Sequence, residues 1–468
     1  MARILLIDPC GWQGGVNSDN TFPNIGIAYL TAAMRAAGHE VYIADMNNES
    51  TSNLEIVQLM RAERIGIVGI SVKTATMGAA RRLGSFLKQQ LECIVIVGGA
   101  HASLIAGGLE KESWIDYVFM GEAEETLPLF CEQLGNADNK NYAGVWKRGE
   151  LSAIPVHIQN LDTLPFPEYS LFPEKVIDAV ALNYPLITSR GCVFDCIYCS
   201  VPIISGKRFR KRSLENIIAE LKFAIDRFGI IEFSIIDDAF NLDMGRAKEF
   251  CHLLIRHNVR LRWSCPNGLR ADRVDDELAE LMFRSGCYSV MLGVETGDPV
   301  VFAGICKGET LGDVGMGIRT FQKAGIQVGG YFLIGLPGDS IRSQHLSVEL
   351  VKRYDIVGHF NMLIPYPGTR LWDWVGKNGR LLRDIEDGLH FSDSGYKVLP
   401  VFETDDFKGS ERTKAYEMVH TQVGRYELLV PKSYSRWRHW LSKLMLVLRY
   451  DRWRILTVAK IYFRRITC

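Results

Sequence analysis

Three cysteines in one short run carry the clearest chemical signal in the chain. The run is Ser189-Arg190-Gly191-Cys192-Val193-Phe194-Asp195-Cys196-Ile197-Tyr198-Cys199, with C-x3-C-x2-C spacing. A structural zinc ion wants four ligands. No histidine lies within the run, and no fourth cysteine is close by. A cubane iron–sulfur cluster can be held by three thiolates, which leaves one iron open to a chelating substrate. Zinc and a chance grouping stand as the alternatives. Cys10, Cys93, Cys131, Cys251, Cys265, Cys287, Cys306 and Cys468 are scattered and read as small core hydrophobes. Cys265 and Cys306 are also candidates for a radical or proton donor.

The run must be positioned by a scaffold. From 186 onward, strand candidates at 186–188, 232–236, 261–264, 289–293, 328–334 and 356–362 alternate with helix candidates at 214–228, 245–255, 276–285, 312–324 and 340–352. Such repeated strand–helix units close fully or partly into a barrel, with reactive groups at the carboxyl ends of its strands. The cysteine run follows the first of these strands.

A separate alternation precedes it. Apolar runs at 4–7, 41–44, 65–70, 94–97 and 117–119 flank helix-length segments such as 25–37 and 76–91. Continuous Val/Ile runs suggest strands covered on both faces, hence a parallel doubly wound sheet. Ligands bind such sheets outside the carboxyl ends of the strands. Small residues stand there: Gly11, Gly14 and Gly15, then Ser71, Gly98-Gly99 and Gly121. They let a bulky ligand approach the backbone, or they simply end strands. Between the two alternations, dense Asn and Asp at 136–141 and prolines 155, 165, 167, 173 and 185 favour extended linker structure over a long helix.

The last segment, 430–468, is basic, with the single acid Asp451. Trp437, Trp440, Leu441, Leu444, Met445 and Leu448 fall on one helical face. Such a helix either packs on the barrel or lies on an anionic membrane surface. The chain of 468 residues has zero formal net charge, so no overall field points to nucleic acid. It shows no signal peptide and no membrane-length apolar stretch. Its cysteines are eleven, an odd number, which argues against a disulfide framework. A cytoplasmic location is expected, with peripheral membrane contact through the tail as the variant.

With the cysteine run in place, the sequence resembles the radical S-adenosylmethionine (SAM) superfamily. Further motifs extend the resemblance over roughly 186–381. Asp237-Asp238-Ala239-Phe240 is similar to the family's acidic strand end, and Gly293-Val294-Glu295-Thr296-Gly297 to the segment that contacts the ribose and amino-acid part of SAM. The stretch 330–338, with Gly335, resembles the strand beside adenine, and Pro365-Tyr366-Pro367-Gly368-Thr369 the turn after the last barrel strand. The first alternation resembles the cobalamin-binding domain that often precedes this barrel, through Pro23-Asn24-Ile25-Gly26, Val97-Gly98-Gly99-Ala100-His101 and Gly121-Glu122-Ala123-Glu124-Glu125. The D-x-H-x-x-G motif of many corrinoid carriers is missing, so no histidine is expected below cobalt.

The resemblance implies an α/β protein with a cobalamin-binding Rossmann-like domain at 1–135, a linker at 136–184, a partial (βα)6 barrel at 185–381 and a C-terminal region at 382–468. It implies a 4Fe–4S cluster on Cys192, Cys196 and Cys199, with SAM chelating the open iron. A 5′-deoxyadenosyl radical then takes hydrogen from an unactivated carbon. Methylation at carbon or phosphorus, with cobalamin as methyl carrier, is the leading implication. Radical cyclisation or ring rearrangement is the runner-up, and a non-catalytic corrinoid-binding module is the reading of another class. Glu295, Asp237 and Asp238 become candidate catalytic or SAM-holding acids. Arg190, Tyr198 and Gly335 become candidate SAM contacts. Ser71, Gly98, Gly99, His101, Gly121 and Glu122 become candidate cobalamin contacts. A small-molecule or lipid-like substrate and a one-electron reductant such as flavodoxin or ferredoxin complete the set.

Overall fold

The computed structural model describes residues 1–10, 23–134, 142–148, 154–392 and 395–423. Gly11, Gly14, Gly15, the run 136–141 and the basic segment 430–468 lie outside the described residues. The chain forms two compact units. The first comprises Met1–Ile177, Gly191–Lys211 and Ile364–Asp405; the second comprises Asp178–Arg190, Arg212–Leu363 and Asp406–Cys468.

In the first unit, strands β1 (Arg3–Asp8), β2 (Glu40–Asp45), β3 (Ile67–Ser71), β4 (Ile94–Gly98), β5 (Tyr117–Phe119) and β6 (Val145–Lys147) form one sheet in the order β2-β1-β3-β4-β5-β6. The first five are parallel, and β6 runs antiparallel to β5. Ile4, Leu5, Leu6 and Ile7 of β1 are all buried, as a strand with helices on both faces requires. The strand order reverses at β1 and β3, so the ligand crevice expected of a doubly wound sheet opens beyond Asp8 and Ser71.

In the second unit, β7 (Tyr184–Leu186), β8 (Glu232–Ile235), β9 (Arg262–Leu269), β10 (Cys287–Glu295), β11 (Gln327–Ile334) and β12 (Val357–Met362) form an all-parallel sheet in the order β12-β11-β10-β9-β8-β7. Among the described residues β7 and β12 do not pair with each other, so the barrel is open. The covering helices start where the sequence supplies a cap. Ser213, Asp243, Asp275, Thr310 and Ser340 each accept a hydrogen bond from a first-turn backbone N–H, which satisfies a donor the helix leaves orphaned.

Two expectations are corrected. The stretch read as linker holds β6 and a helix, Glu174–Leu182. Pro173 sits just before that helix, where a fixed φ and a missing N–H cost nothing. The first barrel strand lies at Tyr184–Leu186 rather than 186–188. Pro185, which reads as a strand breaker, is tolerated because β7 is an edge strand.

Candidate functional site

The cysteine loop is held within the first unit. Gly191 has φ +89°, and a Cβ there would meet the carbonyl oxygens of Gly206 at 2.9 Å and Ser205 at 3.0 Å, besides that of Arg208. Only glycine fits this approach. Cys192, Cys196 and Cys199 are partly exposed and free of disulfides. The N–H of Cys192 donates to Gly206 O at 3.2 Å, and that of Leu371 to Ile197 O at 2.8 Å. Asp195, between the first two cysteines, pairs with Lys207 at 2.9 Å and with Arg370 at 3.8 Å. The hydrogen bond from Lys207 holds its carboxyl below the ordinary value.

Among the described residues no group of three or more His, Cys, Asp or Glu is gathered as a single metal ion needs. A cubane makes no such demand, because each thiolate binds a different iron. Three thiols outside any disulfide on one clamped loop therefore fit the cluster.

Asp237 was expected to touch SAM or substrate, and the structure spends it elsewhere. The side chain is buried. It accepts from Thr188 N at 2.6 Å, from the Thr188 hydroxyl and from Ser189 Oγ at 2.6 Å. Burial pushes its carboxyl up, against the pull of these bonds. It thus fixes the residues that lead to Arg190. Arg190, Asp238 and Tyr198 are partly exposed.

At the carboxyl edge of the first sheet, Ser71 Oγ accepts from Asn24 Nδ2 at 3.2 Å, while Asn24 Oδ1 caps the first helix at Ile27 N. Asp8 is buried, and among the described residues its Oδ1 has no hydrogen-bond partner. An acceptor of this kind at the switch point fits the amide-rich rim of a corrinoid. Other expected contacts serve the chain itself. Gly99 has φ +100°, and a Cβ there would lie 2.8 Å from Val72 O; Gly121 has φ +81° and abuts the Val156 backbone. His101 is buried, with Nδ1 3.0 Å from Thr74 Oγ1 and Nε2 3.4 Å from Glu386 Oε1. Glu122 is spent on a buried fork with Arg210 at 2.6 and 2.7 Å and on Ile158 N at 2.7 Å. Gly98 has only ordinary contacts, the nearest 3.6 Å from a Cβ there.

In the second unit, Glu295 ends β10 after a register shift and takes the left-handed backbone, φ +67°. Its side chain is mostly buried, and Oε1 lies 3.3 Å from Lys307 Nζ. At the end of β11, Gly335 (φ +109°) lies directly against the guanidinium of Arg412. Its N–H donates to Asp339 Oδ2 at 2.7 Å. Burial pushes Asp339 up to about 6. Arg412 is buried and comes from the helix Gly409–Val423.

Lys307, Arg210 and Arg412 escaped the sequence reading. For Lys307 a signal existed. The run Cys306-Lys307-Gly308-Glu309 places two charges around a glycine, a turn that brings opposite charges close to a strand end. For Arg210 and Arg412 the partners lie far along the chain, and no local pattern marks them.

Two family models match: the B12 binding domain over residues 13–130 and the radical SAM superfamily over 186–350. An uncharacterized methyltransferase of Pyrococcus horikoshii is 30% identical over 371 residues, 77% of this chain and 80% of that protein. Cytidylyl-2-hydroxyethylphosphonate methyltransferase of Streptomyces wedmorensis is 28% identical, over 74% of this chain and 76% of that protein. An anaerobic magnesium-protoporphyrin IX monomethyl ester cyclase of Rubrivivax gelatinosus is 21% identical, over 80% and 70%. Among solved structures, the radical SAM methyltransferase TsrM of Kitasatospora setae, with cobalamin and a [4Fe-4S] cluster bound, matches with a TM-score of 0.73 at 18% identity, covering 99% of this chain and 100% of that one. That likeness concerns the fold. With a corrinoid-type sheet and a clamped three-thiol loop in one compact unit, and an open parallel barrel in the other, the chain belongs to the radical SAM enzymes that carry a B12-binding domain.

Proposed function

We propose that the chain methylates an unactivated carbon or phosphorus centre of a small molecule. The observation that carries this reading is the three-thiol loop built into the same compact unit as the B12-type sheet. The methyltransferases among its relatives, at 30% and 28% identity, favour methylation over the cyclisation of the relative at 21%. When bound, the cluster supplies the electron that cleaves SAM, and cobalamin supplies the methyl carrier.

The residues prepare for this chemistry. Cys192, Cys196 and Cys199 offer three thiolates and leave a fourth iron position for SAM. Glu295 accepts from SAM hydroxyl or ammonium donors. Asp237 fixes the approach to the loop, and Asp8, Ser71 and Gly98 line the corrinoid side. Arg190, Asp238 and the Gly335 turn, all in the second unit, are further contacts for SAM. A one-electron reductant such as flavodoxin or ferredoxin feeds the cluster. No helix among the described residues is long and apolar enough to cross a membrane. The basic tail offers a peripheral contact for a lipid-like substrate.

The test is mass spectrometry of small-molecule mixtures after anaerobic incubation with the reconstituted protein, SAM, cobalamin and reductant. A product heavier than its precursor by one methylene unit supports methylation. Loss of hydrogen without added carbon supports cyclisation instead.

A further inference from the structure

We infer that Lys307 is a positioning residue for SAM, acting through Glu295. The inference rests on the reading of Glu295 as a SAM contact. Lys307 Nζ lies 3.3 Å from Glu295 Oε1 and 2.8 Å from Glu309 Oε1, and it also donates to the carbonyl of Gly293. The side chains of Lys307, Glu295 and Glu309 are 7%, 9% and 0% exposed, so one buried ammonium is shared by two buried carboxylates. Burying two such charges is tolerable only with a cation between them.

The surroundings are built for this arrangement. A Cβ on Gly293 would lie 2.6 Å from Glu295 Oε1 and 2.7 Å from Lys307 Nζ. The glycine therefore makes room for the pair. Cys306 and Gly308, on either side of Lys307, take φ +56° and +74°. Arg270 grips this turn through the carbonyls of Lys307 at 2.7 Å and Gly308 at 3.3 Å. Glu309 Oε2 is occupied by the N–H groups of Ala271 and Asp272 at 3.2 and 3.4 Å.

The consequence concerns the two oxygens of Glu295. Oε1 is committed to Lys307, and among the described residues no donor takes Oε2. Lys307 thereby fixes the carboxylate plane and keeps the second oxygen available to a ligand donor. A carboxylate held this way loses little freedom on binding, which raises affinity without adding a contact.

The test is a double-mutant cycle on the cluster-loaded protein, with SAM affinity, iron content and thermal unfolding read together. Glu295→Gln should weaken SAM by about tenfold or more. Lys307→Met should weaken it comparably with iron retained. The double variant should be no weaker than Glu295→Gln alone, because the two residues act as one unit. Additive losses, or unchanged SAM affinity in Lys307→Met, overturn the role of Lys307 while leaving Glu295 in place. Unchanged affinity in Glu295→Gln overturns the underlying reading of Glu295, and the inference with it. Should Lys307→Met not fold, Lys307→Arg replaces it in the cycle. Its smaller loss must likewise vanish in the Glu295→Gln background, and persistence of that loss contradicts the inference.

Discussion

Glu122 and Arg210 form a buried two-bond fork, with oxygen–nitrogen distances of 2.6 and 2.7 Å, that joins the end of the B12-type sheet to the segment following the cysteine loop. Arg210 also donates to Ser205 O at 2.7 Å. One guanidinium thus ties the corrinoid edge to the loop of the first unit. Breaking such a pair leaves a buried charge alone. Arg210→Met should therefore destabilise the protein by about 3–5 kcal/mol and reduce iron loading. The double change Arg210→Met with Glu122→Leu should recover much of the stability. Thermal unfolding and iron analysis check both.

Asp237 gives a second prediction. Asp237→Asn keeps the shape but turns one acceptor oxygen into a donor that faces the Thr188 and Ser189 hydroxyls. A cost of about 1–3 kcal/mol is expected, read as a lower unfolding midpoint. An unchanged midpoint would show that these bonds do not hold the loop entry.

The glycines at the sheet edge separate ligand contact from backbone need. Gly98→Val should weaken hydroxocobalamin binding with little change in thermal stability, because a Cβ there meets only ordinary contacts. Gly99→Ala should lower thermal stability even without ligand, because φ is +100° and Val72 O stands 2.8 Å from the new Cβ. Equilibrium dialysis beside thermal unfolding distinguishes the two.

Asp45, opposite Asp8 in the β1–β2 register, predicts a pH effect. Burial raises its carboxyl to about 6, opposed by hydrogen bonds from Asn48 and reinforced by the charge of Asp8. Between roughly pH 4 and 6 the folded protein holds a proton that the unfolded chain has already lost. Stability conferred by Asp45 therefore falls as pH rises through that window and levels off above it. Asp45→Asn should gain on the wild type by about 3 kcal/mol between pH 4 and 7. A parallel pair of stability curves would contradict this.

Periodicity made the strands legible, because both sheets are parallel apart from β6 and their strands are nearly continuous apolar runs. The cysteine loop was legible because its ligands are local in sequence. Glycine was legible as small but not in purpose. Gly99, Gly121 and Gly335 serve their own backbone or Arg412, whereas a Cβ at Gly98 would meet only ordinary contacts with Phe119. Ion-pair partners were not legible. Glu122 and Arg210 lie 88 positions apart, and the acids expected to meet ligand, Glu122 and Asp237, find their partners inside the chain instead. His101 was hidden in the same way, since its partner Glu386 lies 285 positions away.

The most direct measurement follows both fates of SAM in the anaerobically reduced, cluster-loaded protein, with and without cobalamin. Methyl transfer through cobalamin requires one SAM to recharge the carrier and another to supply the radical. The expected result is S-adenosylhomocysteine that forms only with cobalamin bound, alongside 5′-deoxyadenosine that disappears when Cys192, Cys196 or Cys199 is replaced by alanine. Formation of 5′-deoxyadenosine without S-adenosylhomocysteine, or of neither, would contradict cobalamin-dependent radical methylation.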